Sequence, residues 1–129
     1  MVSPRPRVTD TELAVLKVLW EQGPSTIRRL TDELYPGGST AHYATVQKLL
    51  ERLREKSCVS RRQHGRGHVY DASINRHELI ATRLRETADK LCEGSLTPLL
   101  TQLVGARELS DDELGALREL VERAARKGG

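Results

Sequence analysis

TAHYATVQKLLERLREKSCVSRRQHGRGHVYDA, residues 40–72, sets an amphipathic helical pattern directly before a short basic hairpin turned on glycine. Val46, Leu49, Leu50 and Leu53 recur at helical spacing and face a core, leaving Ala44, Lys48, Glu51 and Glu55 on the other side. Ala41 and Ala44 are small enough to let this helix sink into a groove, and Thr45, Gln47 and Lys48 reach base edges or phosphates from its flanks. The candidate contact set on the helix is Thr40, His42, Tyr43, Ala44, Thr45, Gln47, Lys48 and Arg52. The hairpin follows as Val59 to Gln63, the turn His64-Gly65-Arg66-Gly67, and His68 to Ala72. Two glycines among the four turn residues supply the positive φ that tight hairpins need. Arg61, Arg62, His64, Arg66 and His68 are the candidate contacts of this wing. A recognition helix feeding a basic wing is the order of a winged helix-turn-helix.

A basic amphipathic helix is also what the solvated face of an ordinary core element looks like, and charge separates the two readings. Residues 43–70 hold seven Lys and Arg against two Glu, a net of +5, whereas the whole chain carries +3. Positive charge is thus concentrated where the geometry suits a duplex. Glu51 and Glu55 argue mildly against deep insertion, but they lie toward the end of the helix that leaves the groove, and they can pair with Arg52, Arg54 or Lys56.

A chain of 129 residues holds one domain, or a small domain with an oligomerisation element. Charged residues make up 30%, and the apolar runs are only a few residues long, so no segment spans or inserts into a bilayer. The N-terminus lacks a secretory hydrophobic stretch, and Pro4-Arg5-Pro6-Arg7 reads as a loose basic arm. A cytoplasmic protein is expected, with Cys58 and Cys92 reduced and acting as packing residues.

Toward the N-terminus, Thr9 with Glu12 forms a capping-box pattern ahead of Leu13, Leu16, Leu19 and Trp20, and Gly23-Pro24 ends that helix, predicted over about Asp10 to Gln22. Ser25 caps a second helix, with Ile27, Leu30 and Leu34 inward, ended by Tyr35-Pro36-Gly37-Gly38. The loop into the recognition helix is longer than that of a tight helix-turn-helix, which winged forms accommodate.

After Ala72 the composition changes: Trp20, Tyr35, Tyr43 and Tyr70 are the only aromatic residues. Asn75 with Glu78 opens a helix carrying Leu79, Ile80, Leu84, Ala88 and Leu91 inward. Leu96, Leu99, Leu100, Leu103 and Val104 form a short apolar helix ending near Gly105, and Ser110 with Glu113 opens a last one carrying Leu114, Leu117, Leu120, Val121 and Ala124. Three helices over 57 residues bury too little surface to offset chain entropy alone, so they should pair with a second copy. Ile80, Leu84, Leu91, Leu99, Leu100, Leu103, Leu117, Leu120 and Val121 are the candidate dimer contacts. Residues 1–72 carry +4 and residues 73–129 carry −1, matching a basic reading head on a leucine-rich dimerisation tail. The other arrangement is a monomer whose helical tail caps the winged head. A twofold dimer would read an inverted repeat in double-stranded DNA.

TELAVLKVLWEQGPSTIRRL (11–30), ATVQKLLERLREK (44–56), the hairpin ending in HVYDA, and GSLTPLLTQLVGARELSDDELGALREL (94–120) together resemble the penicillinase and methicillin-resistance repressors of the BlaI/MecI type, nearly end to end. That resemblance implies an N-terminal winged helix binding operator palindromes and a helical C-terminal domain holding the dimer. By position, Thr45, Gln47 and Lys48 fall where members of the family contact the operator, although their residue types differ. It also implies induction by a protease triggered through a membrane-bound sensor, which cuts the dimerisation domain. The matching bond here joins Gln102 and Leu103, where the family usually has Asn and Phe.

A copper-responsive branch of the same superfamily carries a C-terminal cysteine cluster, CxCxxxxCxC, which this chain lacks. His64, His68 and Cys58 are a weak zinc set without partners to orient them, so no metal or cofactor is expected. The chain has no P-loop, nucleophile elbow or HExxH, and is not expected to be an enzyme. The sequence therefore points to a mainly α fold with a small β-hairpin: a winged helix-turn-helix domain over 1–72 and a three-helix dimerisation domain over 73–129. Its expected function is repression of transcription, and the family resemblance alone implies β-lactam resistance or stress genes as targets. A winged-helix protein-interaction adaptor and a metal- or redox-responsive regulator are the alternatives.

Overall fold

A computed structural model of the chain describes residues 7–128, so within the basic arm Pro4, Arg5 and Pro6 lie outside the described residues. Helix α1 (Asp10–Gln22) starts on the Thr9–Glu12 capping box: the Glu12 amide donates to Thr9 Oγ1 at 3.2 Å, and the Thr9 amide donates to Glu12 Oε1 at 2.8 Å. Gly23, at φ +78°, ends it in a conformation that favours glycine. Helix α2 (Ile27–Leu34) is capped by Thr26, whose Oγ1 accepts from the Arg29 amide at 3.1 Å.

Thr26 as cap corrects the expectation for Ser25, which has a different task. Ser25 is buried, and its backbone exchanges two hydrogen bonds with Tyr70, at 2.9 and 2.8 Å. A buried backbone needs such partners, and this bridge ties the start of α2 to the hairpin.

Helix α3 (Thr40–Glu55) turns Val46, Leu49, Leu50 and Leu53 into the core, the four residues its periodicity marked. Ser57, at φ +61°, breaks the helix, and the Cys58 amide donates to the Leu53 carbonyl at 2.8 Å. Strands β1 (Val59–His64) and β2 (Gly67–Ala72) then pair antiparallel, in a register that sets Arg61 opposite Tyr70, Arg62 opposite Val69 and His64 opposite Gly67. The hairpin turn is therefore Gly65-Arg66. Of the two turn glycines only Gly65 takes positive φ, at +62°.

The core of this head collects Val15, Leu16 and Leu19 of α1, Leu30 of α2, the four α3 residues, Cys58, Val59 and Tyr70. Each large side chain removed from water contributes about 1.5–3 kcal/mol. Ile74 and Leu79 belong to the same cluster. The Trp20 indole N–H donates to the Ile74 carbonyl at 2.8 Å, and the Arg76 guanidinium lies 5.2 Å from the Trp20 ring centroid.

The chain divides into two compact units after Thr82, within helix α4 (Arg76–Leu91). Asn75 and Glu78 form the expected capping box, at 3.1 and 2.8 Å. The second unit also contains α5 (Thr97–Gly105) and α6 (Asp111–Gly128), the latter opened by the Ser110–Glu113 box at 3.0 and 3.1 Å. Ile80, Leu84 and Leu91 of α4 were expected inward, but they are exposed; only Leu79 and Ala88 of that set are buried. The helical period explains the split, because Leu79 turns to the head's core while Ile80, one residue on, points about 100° away. Among the described residues, no helix is long and apolar enough to cross a membrane.

Candidate nucleic-acid interface

With its core side committed, α3 presents a continuous outer face. Thr40, Ala41, Ala44, Thr45, Gln47, Lys48 and Arg52 are exposed along it, and Tyr43 is 38% exposed. The Thr45 hydroxyl donates to the Ala41 carbonyl at 3.0 Å, one turn back, so its proton is used and its lone pairs remain as acceptors. Gln47 can offer an amide donor and acceptor together, and Lys48 a cation. That is an equipment set suited to base edges and phosphates.

His42 behaves differently. It is half-buried, its Nδ1 accepts the Ser39 amide at 3.0 Å, and its ring stacks on Tyr35 at 4.4 Å between centroids and 16° between planes. Gly38 packs close by, such that a Cβ there would stand 2.7 Å from the Tyr35 carbonyl oxygen and 3.0 Å from His42 Nδ1. Sequence reasoning placed His42 among the contacts and missed Ser39. The available signal was a serine immediately before the helix, but the capping-box template asks for Glu or Gln three residues on and passes over histidine.

On the hairpin, Arg61, Arg62, His64, Arg66 and His68 are all exposed. Their faces differ, since successive strand residues point to opposite sides. Arg61 and Gln63 share the side of Val59, Arg62 and His64 share the other, and Arg66 sits at the turn. Basic charge therefore wraps the wing. The register also sets His68 opposite Gln63, hence on the face away from His64, while Cys58 is fully buried. These three do not converge, and among the described residues no group of His, Cys, Asp and Glu is placed to hold a metal ion.

Lys56 leaves the basic patch altogether. Its Nζ lies 2.6 Å from Glu12 Oε1 and 2.7 Å from the Arg7 carbonyl oxygen, rather than pairing with Glu51 or Glu55. Glu12 is fully buried. Burial pushes its carboxyl pKa up, but the Lys56 ammonium and the Thr9 hydrogen bonds more than offset this and hold it below its ordinary value. This pair ties the C-terminal end of α3 to the start of α1 and so fixes how the reading face is presented. Near the same end, an open groove is lined by Glu51, Arg54, Glu55 and Arg61. Acid and base mix there, so attraction for an anionic partner rests chiefly on Lys48 and Arg52 of α3 and on the arginines of the wing.

The family model described as penicillinase repressor matches residues 8–123. The chain is 26% identical over 117 residues to the penicillinase repressor of Bacillus licheniformis, covering 91% of each protein. It is 33% identical over 114 residues to the transcriptional regulator BlaI of Mycobacterium tuberculosis, covering 87% of this chain and 80% of that relative. A solved structure of monomeric Bacillus licheniformis BlaI in complex with the blaP half-operator aligns with 57% of this chain and 89% of its own, at 31% identity and a TM-score of 0.47. With the match spanning both units and the helix–hairpin order that the sequence led us to expect, the chain belongs to the penicillinase repressor family of transcriptional regulators.

Proposed function

We propose that this protein is a cytoplasmic, sequence-specific DNA-binding repressor that acts as a homodimer on inverted-repeat operators. The observation that carries the reading is the outer face of α3: Thr45, Gln47 and Lys48 stand clear of the core beside small alanines, with an arginine-wrapped wing following in the same unit. Base-edge chemistry comes from the helix, and sequence-independent phosphate attraction from Arg61, Arg62 and Arg66. Two such heads in successive major grooves would occlude polymerase.

Dimerisation is supported by the second unit considered by itself. Leu91, Leu120 and Val121 are 78%, 55% and 59% exposed, and Leu84, Leu100 and Leu103 are also uncovered. A leucine-rich surface of this kind is costly in water, and a second copy of the same helices covers it by symmetry. Likeness to the family extends the proposal to control of β-lactam resistance or stress genes. It also extends it to induction by a protease linked to a membrane sensor, cutting α5 at the exposed Gln102–Leu103 bond. Cutting there would remove part of the apolar surface and leave each head on a single half-site, without the advantage of linkage.

Selection of bound sequences from a random duplex library, followed by titration of the winner at several salt concentrations, tests the proposal. An enriched inverted repeat, bound by two chains, is the expected result. Binding without enrichment would reduce the protein to a nonspecific binder, and no binding would favour an interaction adaptor.

A further inference from the structure

His42 was expected among the residues that touch DNA, yet its ring is already engaged. Nδ1 accepts the Ser39 amide at 3.0 Å, with Ser39 Oγ 3.5 Å away, and the face of the ring lies on Tyr35. Ser39 is the cap residue of α3, and its amide is one that the helix itself leaves without a partner. Tyr35 is the cap residue at the end of α2, so a single side chain joins the end of one helix to the start of the next. The Gly38 backbone fills the space beside it too closely for a Cβ.

We infer that His42 is a positioning residue: its neutral ring closes the first turn of the recognition helix onto the α2 end, and this closure makes operator binding depend on the proton occupancy of that ring. The inference rests on the DNA-binding reading proposed above. To accept from Ser39, Nδ1 must be unprotonated, which places the ring proton on Nε2. A second proton converts Nδ1 from an acceptor into a donor that faces another donor. The Ser39 amide then loses its partner and the first turn, which bears Thr40 and Ala41, frays ahead of Ala44 and Thr45. The titratable group packed against the ring from α2 is the Tyr35 phenol, and Gly38 and Ser39 bring no ionisable side chain. Among the described residues, no carboxylate or cation is ion-paired with the ring. Within the cap a protonated ring would meet the Ser39 hydroxyl, 3.5 Å from Nδ1, and the Tyr35 ring face, and neither replaces the bond from the Ser39 amide.

The variant that separates this role from a direct contact is His42→Gln, because glutamine three residues after a serine cap makes the same bond to the cap amide and does not titrate. Affinity for the selected operator would be measured for the full-length protein, His42→Gln and His42→Ala between pH 5.5 and 8 at constant ionic strength. At pH 7.5, His42→Gln should bind like the unaltered protein, and His42→Ala should bind up to about fivefold more weakly, the size of one lost cap. On acidification, the unaltered protein should lose affinity relative to His42→Gln, by no more than that factor; taking the ratio removes the contributions of His64, His68 and His77, which both proteins share. A ratio independent of pH would overturn the inference. So would a His42→Gln protein as weak as His42→Ala at pH 7.5, since that would place His42 on the DNA itself. Exchange of the Ser39 amide, followed by NMR without DNA, gives an independent readout. It should be protected in His42→Gln at both pH extremes and lose protection in the unaltered protein at pH 5.5; equal protection in both proteins would refute the cap. If no duplex is bound at all, the DNA-binding reading fails, while the amide experiment still decides the role of His42.

Discussion

Replacing Lys56 by methionine removes the cation from a buried ion pair and keeps most of the side-chain volume. In the unaltered protein its Nζ stands 2.6 Å from Glu12 Oε1 and 2.7 Å from the Arg7 carbonyl oxygen. Glu12 has no exposed surface, and among the described residues its Oε2 finds no hydrogen-bond partner. Breaking a buried pair by removing one partner costs about 3–5 kcal/mol, since a charge is left desolvated. Lys56 keeps 20% of its side-chain surface, which admits water to the site and lowers the expected loss to about 2–3 kcal/mol. Urea unfolding followed by the fluorescence of Trp20, the only tryptophan, reports on the head that contains the pair. At a slope of about 1 kcal/mol per molar urea, the midpoint should fall by about 2–3 M at pH 7.

The pH dependence follows from the sign of the Glu12 shift. Its folded-state pKa lies below its ordinary value, so its stabilisation is fully present above that value and is lost as pH falls through the folded one. The gap between the two proteins should therefore be widest at neutral pH and close in acid, where Glu12 is neutral in both. Combining Lys56→Met with Glu12→Gln, which preserves the capping box, should recover most of the loss at pH 7. A single variant within about 0.5 kcal/mol of the unaltered protein at pH 7, or a gap that stays constant into acid, would refute the assignment of the pair as a structural tie.

Gly38→Ala should destabilise the head by about 1–3 kcal/mol in the same assay, because the added Cβ meets the Tyr35 carbonyl oxygen at 2.7 Å and backbone must move; an unchanged midpoint would show that the loop yields freely. Arg66→Ala should weaken binding to all duplexes alike and reduce the salt slope by about one, whereas a loss confined to one sequence would make Arg66 a base-reading residue. Leu103→Asp, at a side chain 42% exposed in the single chain, should weaken the proposed dimer at least about tenfold in sedimentation equilibrium by placing an unpaired charge in an apolar interface. Unchanged association would remove α5 from that interface.

The features legible from the amino-acid order are those decided within a few residues. Three capping boxes, at Thr9–Glu12, Asn75–Glu78 and Ser110–Glu113, form as written, because each joins a cap to a residue three positions on. The bounds of α1, the four buried residues of α3 and the two-stranded hairpin were likewise readable, since helical period and turn chemistry are local. The basic outer face of α3 followed from the same period. Contacts between distant residues were not readable. Lys56 counts as one more surface cation until the fold brings Glu12, 44 positions away, beside it. Ser25 looks like a cap until Tyr70 pairs with its backbone, and Ile74 and Leu79 look like the start of the tail until Trp20 and the head's core take them in. The stacking of His42, a candidate contact by position, on Tyr35 is hidden until the end of α2 folds back against α3. In each case the decisive partner is remote in the chain, and only chain folding supplies the low-dielectric, sterically filled surroundings that give one pairing its advantage over water.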